Sequence, residues 1–290
     1  MYKAWLHQYT QFVALAAFFL IIAGGLVTST GSGLSVPDWP LSYGQVFPPM
    51  IGGIRFEHTH RLMAALVGFL TLGLMILILI KENNPLIRAF GILAFISVVL
   101  QAVLGGLTVI YLLPTPISVF HACLGQTFFC VVAAIVLFTS SGWSKSRIIA
   151  SPRAESLQRL LIVTTIFIYL QLIAGAIVRH SPGSTIRYHF ALALLIAMHV
   201  LFVIFKISKE EGVRIKLFRH AAFLGLLVIF QTFLGFSTFI FMRFLERPFQ
   251  PGFTEVLLRT THQSTGALIL ATAFTLSLRS LRFIKQAPSL

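Results

Sequence analysis

A 290-residue chain that is 57% hydrophobic and only 10% charged, with a mean hydropathy of +0.90, excludes a soluble globular domain, in which about a quarter of the residues carry charge. A formal charge of +14 invites a nucleic-acid partner. The basic residues, however, lie between apolar stretches with a bias to one side, so the charge is a topology signal and no nucleic acid is expected.

Windows of about 20 apolar residues, the length that crosses a bilayer, recur along the chain. Eight are read: 11–30, 60–80, 88–110, 116–139, 158–178, 188–206, 219–241 and 257–279. The fold expected is an all-α integral membrane protein with eight transmembrane helices. With a cytoplasmic N-terminus, the inner segments hold Lys3; Lys81 and Arg88; Lys145, Arg147, Arg153 and Arg159; Lys206, Lys209, Arg214, Lys216 and Arg219; and Arg279, Arg282 and Lys285. These are 15 of the 22 basic residues; Arg55, Arg61, Arg179, Arg187, Arg243, Arg247 and Arg259 fall outside. The asymmetry places both termini in the cytoplasm. The opening MYKAWLHQYT has neither an organellar presequence nor a cleavage site, so the first span is expected to remain as an anchor in a prokaryotic plasma membrane.

Taken in chain order, the spans repeat. The first, third, fifth and seventh each end in a small-residue patch: Gly24-Gly25-Leu26-Val27-Thr28, Gly105-Gly106-Leu107-Thr108-Val109, Gly175-Ala176-Ile177-Val178 and Gly235-Phe236-Ser237-Thr238. In the last three, a glutamine (Gln101, Gln171 or Gln231) stands one helical turn before the first glycine. The second, fourth, sixth and eighth spans each open on histidine: His60, His121, His189 and His262. The chain therefore divides into two pseudo-symmetric four-helix bundles, 1–140 and 158–290, joined by a basic linker, 141–157. The glycines suit close helix packing, and equally the smooth walls of a flat macrocycle. The glutamines suit either interhelical hydrogen bonds or orientation of a ligand. Cys123 and Cys130 lie two turns apart in one helix, about 10 Å along its axis, so they are read as buried thiols and no disulfide is expected.

Ionisable groups at the rim of an apolar span need a physical reason. His7, His180, His199 and His220 read as interfacial residues, whereas the four phased histidines share one register and one side. Zinc usually gathers a third or fourth protein ligand, so paired single histidines fit bis-histidine haem iron better. Arg61, Arg179, Arg187 and Arg259 lie near them on the outer side and are candidates for haem propionates, with lipid phosphate as the alternative. Glu57 stands one turn before His60. A carboxylate beside an apolar haem pocket is a candidate proton carrier; it also suits a helix N-terminal acid or a partner fixing the imidazole tautomer.

Several strings carry a resemblance. Gly33-Leu34 with Pro37-Asp38-Trp39-Pro40-Leu41 and Gly44-Gln45, then Glu57-His58-Thr59-His60-Arg61-Leu62, Gly175-Ala176-Ile177-Val178-Arg179-His180 and His262-Gln263, together resemble the haem A synthase family (CtaA and its mitochondrial relatives). The resemblance runs through all eight spans. It implies oxidation of the methyl at pyrrole carbon 8 of haem O to a formyl group, through a hydroxymethyl intermediate. It also implies a haem b cofactor on His189 and His262 in the C-terminal half, substrate haem O framed by His60 and His121 in the N-terminal half, and Glu57 as the catalytic acid. The outer-loop cysteine pair of many members is missing between Ser29 and Phe56, and the loop between His180 and His189 is short. Membrane lipids, haem O synthase and the cytochrome oxidase assembly are candidate partners, and the electron donor is unnamed. Two rivals remain: a bis-histidine two-haem electron-transfer cytochrome without oxygenase activity, which leaves Glu57 no role, and a haem or lipid transporter.

Overall fold

The computed structural model describes residues 3–145, 147–181, 186–245 and 251–286. Arg247 and the side chain of Arg243, counted above among the outer cations, lie outside this set, as does most of the loop between His180 and His189. Eight helices are long and apolar enough to cross a membrane: α1 (Ala4–Ser29), α2 (Ile54–Lys81), α3 (Pro85–Ile110), α4 (Thr115–Thr139), α5 (Ala154–His180), α6 (Ile186–Ser208), α7 (Glu211–Ile240) and α8 (Phe253–Phe283). At about 1.5 Å per residue they measure roughly 35–46 Å, enough to cross a hydrocarbon core of about 30 Å. The chain is a multi-pass membrane protein.

The boundaries differ from the hydropathy reading in one consequential way. Helix α2 begins at Ile54 and α8 at Phe253, so His60 lies in the second turn and His262 in the third instead of opening their helices. The early turns are hidden from hydropathy by Arg55, Glu57, His58 and Arg61, and by Glu255 and Arg259. Their charges are paired one turn apart, Glu57 with Arg61 and Glu255 with Arg259, which lets polar residues enter a helix at membrane depth. A helix dipole acts mainly in the first turn, so it does not serve these two histidines. The start of α3 follows the usual signals: the Asn84 side chain caps Leu86 N–H at 2.9 Å and Pro85 takes the first helical position.

Helices α1 to α4 pack in a closed ring, as do α5 to α8, and α4 and α8 meet at the junction with α1 and α5 on either side. In their apolar windows, α4 is 67% buried and α8 56%, against 17–33% for the other six. The two central helices thus make the core, and the others turn one face to lipid. Cys123 and Cys130 are buried within α4. The linker is more ordered than its polar composition foretells. A short helix, Ser141–Lys145, leads to strand β1 (Ile149–Ser151), which pairs in parallel with β2 (Ile284–Gln286), a small exception to the all-α reading. Trp143 packs between Phe138 and Phe283, tilted against the first and edge-on to the second. This end also carries Lys3, ion-paired to Glu82, so Lys3, the linker and β2 share one side of the bundle.

Candidate functional site

All four phased histidines lie at the other end, and each is seated in the same way. A Cβ added to Gly24 would come 3.1 Å from His60 Cε1, one on Gly105 3.2 Å from His121 Cε1, and one on Gly175 or Gly235 3.0 Å from Cε1 of His189 or His262. The first glycine of each patch is therefore the floor on which the next helix's imidazole rests. In every unit Nδ1 is buried without a hydrogen bond of good geometry. The main-chain carbonyl one turn before the glycine, of Leu20, Gln101, Gln171 or Gln231, is the backbone acceptor beside the ring.

The repeat then diverges. In the C-terminal half the rings of His189 and His262 face each other with centroids 6.3 Å apart and planes at 64°. A metal bound between two imidazoles needs about 2 Å to each nitrogen and about 1 Å more to each ring centre, a separation of roughly 6 Å, so the pair fits one shared iron. The amides of Gln171 and Gln231 lie 3.2 and 3.3 Å from Nε2 of His189 and His262. These amides donate to the Nε2 lone pairs, which leaves the proton on Nδ1; each nitrogen has a single in-plane lone pair, so an iron bound at Nε2 would displace the amide. In the N-terminal half His60 is within electrostatic reach of His121. Gln101 instead donates to the His121 carbonyl at 2.6 Å, and among the described residues no side-chain hydrogen bond holds either ring. Both uses of glutamine that the sequence left open are present, one in each half.

The N-terminal pair has its own outer wall. Glu57 is buried, with Oε2 accepting Val36 N–H at 2.9 Å and Oε1 taking Arg61 Nη2 at 2.6 Å. Arg61 Nη1 donates to the carbonyls of Asp38 (2.7 Å) and Leu41 (2.6 Å), and Ser42 Oγ meets His58 Nδ1 at 2.8 Å. Across the gap Trp39 lies flat on α3, where a Cβ on Gly106 would fall 2.7 Å from its ring. The Asp-Trp-Pro-Leu loop is thus bolted to the helix of His60 on one side and to the helix that seats His121 on the other. Asp38 closes the loop on itself. N–H groups of Gly44 (2.8 Å) and Tyr43 (2.6 Å) hold its carboxylate below the usual range. Glu57 was expected in apolar surroundings; it sits in a polar clamp instead, because its Arg61 partner lies one turn along the same helix.

The four arginines separate. Arg61 is committed to Glu57 and loop carbonyls, and Arg259 pairs with buried Glu255 at 2.5 Å. Arg187 is exposed, folded over the Tyr188 ring at 4.9 Å. Arg179, at the junction, donates to Ser29 Oγ at 2.9 Å, and Thr260 donates to the same oxygen at 3.0 Å. Glu255 is a second buried acid shortly before a phased histidine, which the sequence reading did not single out. The signal was there, an acid and an arginine one turn apart just before His262, but hydropathy assigned the segment to a loop. The remaining histidines have local roles: His7 bonds Thr139, His199 meets Thr164 and Phe167, and the His180 carbonyl accepts from Thr115.

Fold and site together define a membrane protein with eight helices long enough to span, holding two pairs of glycine-seated histidines, one of them face to face. The chain belongs to the COX15-CtaA family, cytochrome oxidase assembly protein, matching it over residues 7–55 and 52–190. Among curated relatives, the Heme A synthase of Bacillus licheniformis is 32% identical over 174 residues, 59% of this chain and 57% of that protein. The Heme A synthases of an Exiguobacterium species and of Bacillus pumilus are 28% and 29% identical over 176 and 181 residues, 59% and 60% of this chain and 57% and 58% of theirs. The matched part thus spans less than three fifths of these relatives.

Proposed function

We propose that this chain is a haem A synthase, an oxidoreductase converting the C8 methyl of haem O to a formyl group. The observation that carries the reading is the asymmetry between two pairs seated alike. Among the described residues, only His189 and His262 have a ring nitrogen met by glutamine, which fixes their tautomer, and only His60 and His121 lie beneath a loop anchored by a buried acid. We therefore assign haem b to the C-terminal half, 158–290, and substrate haem O to the N-terminal half, 1–140. Haem iron, when bound, supplies the one-electron chemistry that protein side chains lack.

The chain's own groups do the rest. His189 and His262 fix the cofactor, and His60 and His121 frame the substrate in an unpinned, exchangeable way. The Glu57 carboxylate accepts a proton as the methyl carbon is oxidised, and Arg61 keeps it in place between turnovers. Arg179, a half-buried arginine without an acid partner in hydrogen-bonding range among the described residues, takes a propionate, and Ser29 aims it. The bias of basic residues places the linker end in the cytoplasm and the histidines toward the outer side of a prokaryotic plasma membrane. Membrane lipid surrounds the bundle, and haem O synthase and the oxidase assembly are the partners this chemistry fits.

The test is Glu57→Gln in the purified full chain supplied with haem O, a reductant and dioxygen as the oxidant, with the extracted pigments weighed by mass spectrometry. The expected result is a normal haem b spectrum with no hydroxylated haem or haem A. Unimpaired haem A formation would remove Glu57 from the chemistry. The four equivalent seats are what favours the two-haem electron-transfer reading; a wild-type chain that yields no oxidised product, with two low-spin haems retained, would establish it.

A further inference from the structure

Of each two-residue glycine patch, only the leading position is invariant: the second is Gly25, Gly106, Ala176 or Phe236. Membrane helices accept alanine wherever close approach alone is wanted. Something stricter acts at the first position. Each leading glycine faces Cε1, the carbon between the two ring nitrogens, so closely that a Cβ would lie 3.0–3.2 Å away, tighter than nearly all Cβ contacts, and the ring would have to give by a few tenths of an ångström. The neighbour that must give is a planar ring carried in a buried site, unlike the flexible Ile204 Cδ1 end that faces Gly225. Pressure on Cε1 swings both nitrogens together.

Resting on the haem reading above, we propose that Gly24, Gly105, Gly175 and Gly235 are ligand-positioning residues. Each sets the depth and rotation of one imidazole, so that its Nε2 is presented to iron while its Nδ1 is turned onto the neighbouring helix's main chain. The four buried Nδ1 atoms without good hydrogen bonds are the second mark of this seat. Their position is set by the glycine floor and its carbonyl, and no side-chain acceptor takes part. The glutamines then refine only the C-terminal pair.

The experiment uses the full chain purified with its own haem. Electron paramagnetic resonance of the ferric protein reads axial ligation, and transfer to excess apomyoglobin reads retention. Gly175→Ala and Gly235→Ala should each shift the low-spin signal or convert part of it to high spin, and should release haem about ten- to a hundred-fold faster, the usual effect of disturbing a ligand's support. Gly24→Ala and Gly105→Ala should leave that signal unchanged. Two controls separate seating from packing. A Cβ on Gly68 meets open space, and one on Gly25 meets the Thr260 methyl group at 3.1 Å, a contact as tight as the seats but with no imidazole. Wild-type signals and retention in both Gly175→Ala and Gly235→Ala overturn the proposal, as does a Gly25→Ala variant equally damaged. If one C-terminal variant does not accumulate, the other carries the reading. A wild-type chain without low-spin haem refutes the underlying haem assignment instead, so the two failures are distinct.

Discussion

Arg61 Nη2 lies 2.6 Å from Glu57 Oε1 on the same face of α2, and the same guanidinium holds the carbonyls of Asp38 and Leu41. One ion pair therefore joins the proposed catalytic acid to the loop over the substrate site. Both side chains are largely buried, at 14% and 5% exposure. Removing the arginine leaves an uncompensated carboxylate and releases the loop carbonyls of Val36, Asp38 and Leu41. Arg61→Ala is expected to cost about 3 kcal/mol, the lower end for breaking a buried pair, and to lower the thermal midpoint of the purified protein. A midpoint equal to wild type would mean that the clamp contributes nothing to stability.

Replacing His189 or His262 with alanine should abolish the low-spin haem signal of the purified chain. The same change at His60 or His121 should preserve that signal and abolish oxidation of supplied haem O. The contrast follows from the 6.3 Å facing pair in one half and the unpinned pair in the other. Optical spectra with product analysis check it, and loss of the resident haem in a His60 variant would reverse the assignment of the halves.

Much of this was legible in the sequence, because burial in lipid leaves a strong signature. Eight spans, their phased histidines and the repeat all follow from apolar length and the rarity of ionisable residues at membrane depth. The glycines were visible too, but two physical roles for them were equally compatible with composition. What a glycine faces depends on the rotation of each helix, and no residue pattern states that: Gly24 faces His60 while Gly25, next to it, faces Thr260 and Gln263 on α8. Glu255 was missed for a different reason. Hydropathy averages charge over a window and cannot see that Arg259 neutralises it one turn later.

The glutamines offer a test within a single residue type. Gln171→Leu and Gln231→Leu remove an amide that occupies the Nε2 lone pair iron would use, so haem should be retained at least as firmly as in wild type. Gln101→Leu breaks a hydrogen bond to the His121 carbonyl, so its expected cost is about 1 kcal/mol of stability with the resident haem spectrum unchanged. Haem transfer kinetics and thermal melts distinguish the two classes. Equal haem loss in all three would show that the amides act only by holding helices together.

Arg179→Gln keeps a donor for Ser29 and removes the charge. A hydrogen bond to a charged group contributes about 1.5–3 kcal/mol, so haem affinity should fall by about ten-fold or more. Ser29→Ala should produce a smaller drop, since it leaves the guanidinium charged but unaimed. Esterified haem, which has no propionate charge, is the discriminating ligand: it should bind wild type and Arg179→Gln alike. A persistent difference with the ester would show that Arg179 acts on helix packing at the junction.

Acid should loosen the outer loop before it affects the bundle. The Gly44 and Tyr43 N–H groups hold the Asp38 carboxyl below its ordinary value, so the folded loop binds a proton less readily than the unfolded loop. Its contribution to stability is therefore complete above the ordinary carboxylate range, near pH 4, and is lost as pH falls through and below that range. Asp38→Asn removes the charged acceptor at every pH and should make the loop equally open to protease at pH 7 and in acid. In wild type, cleavage between Val36 and Phe56 should be slow at pH 7 and should accelerate only in acid, read with an acid-active protease whose rate is normalised on an unfolded peptide. Acid-independent cleavage of the wild-type loop would show that this carboxylate does not close it.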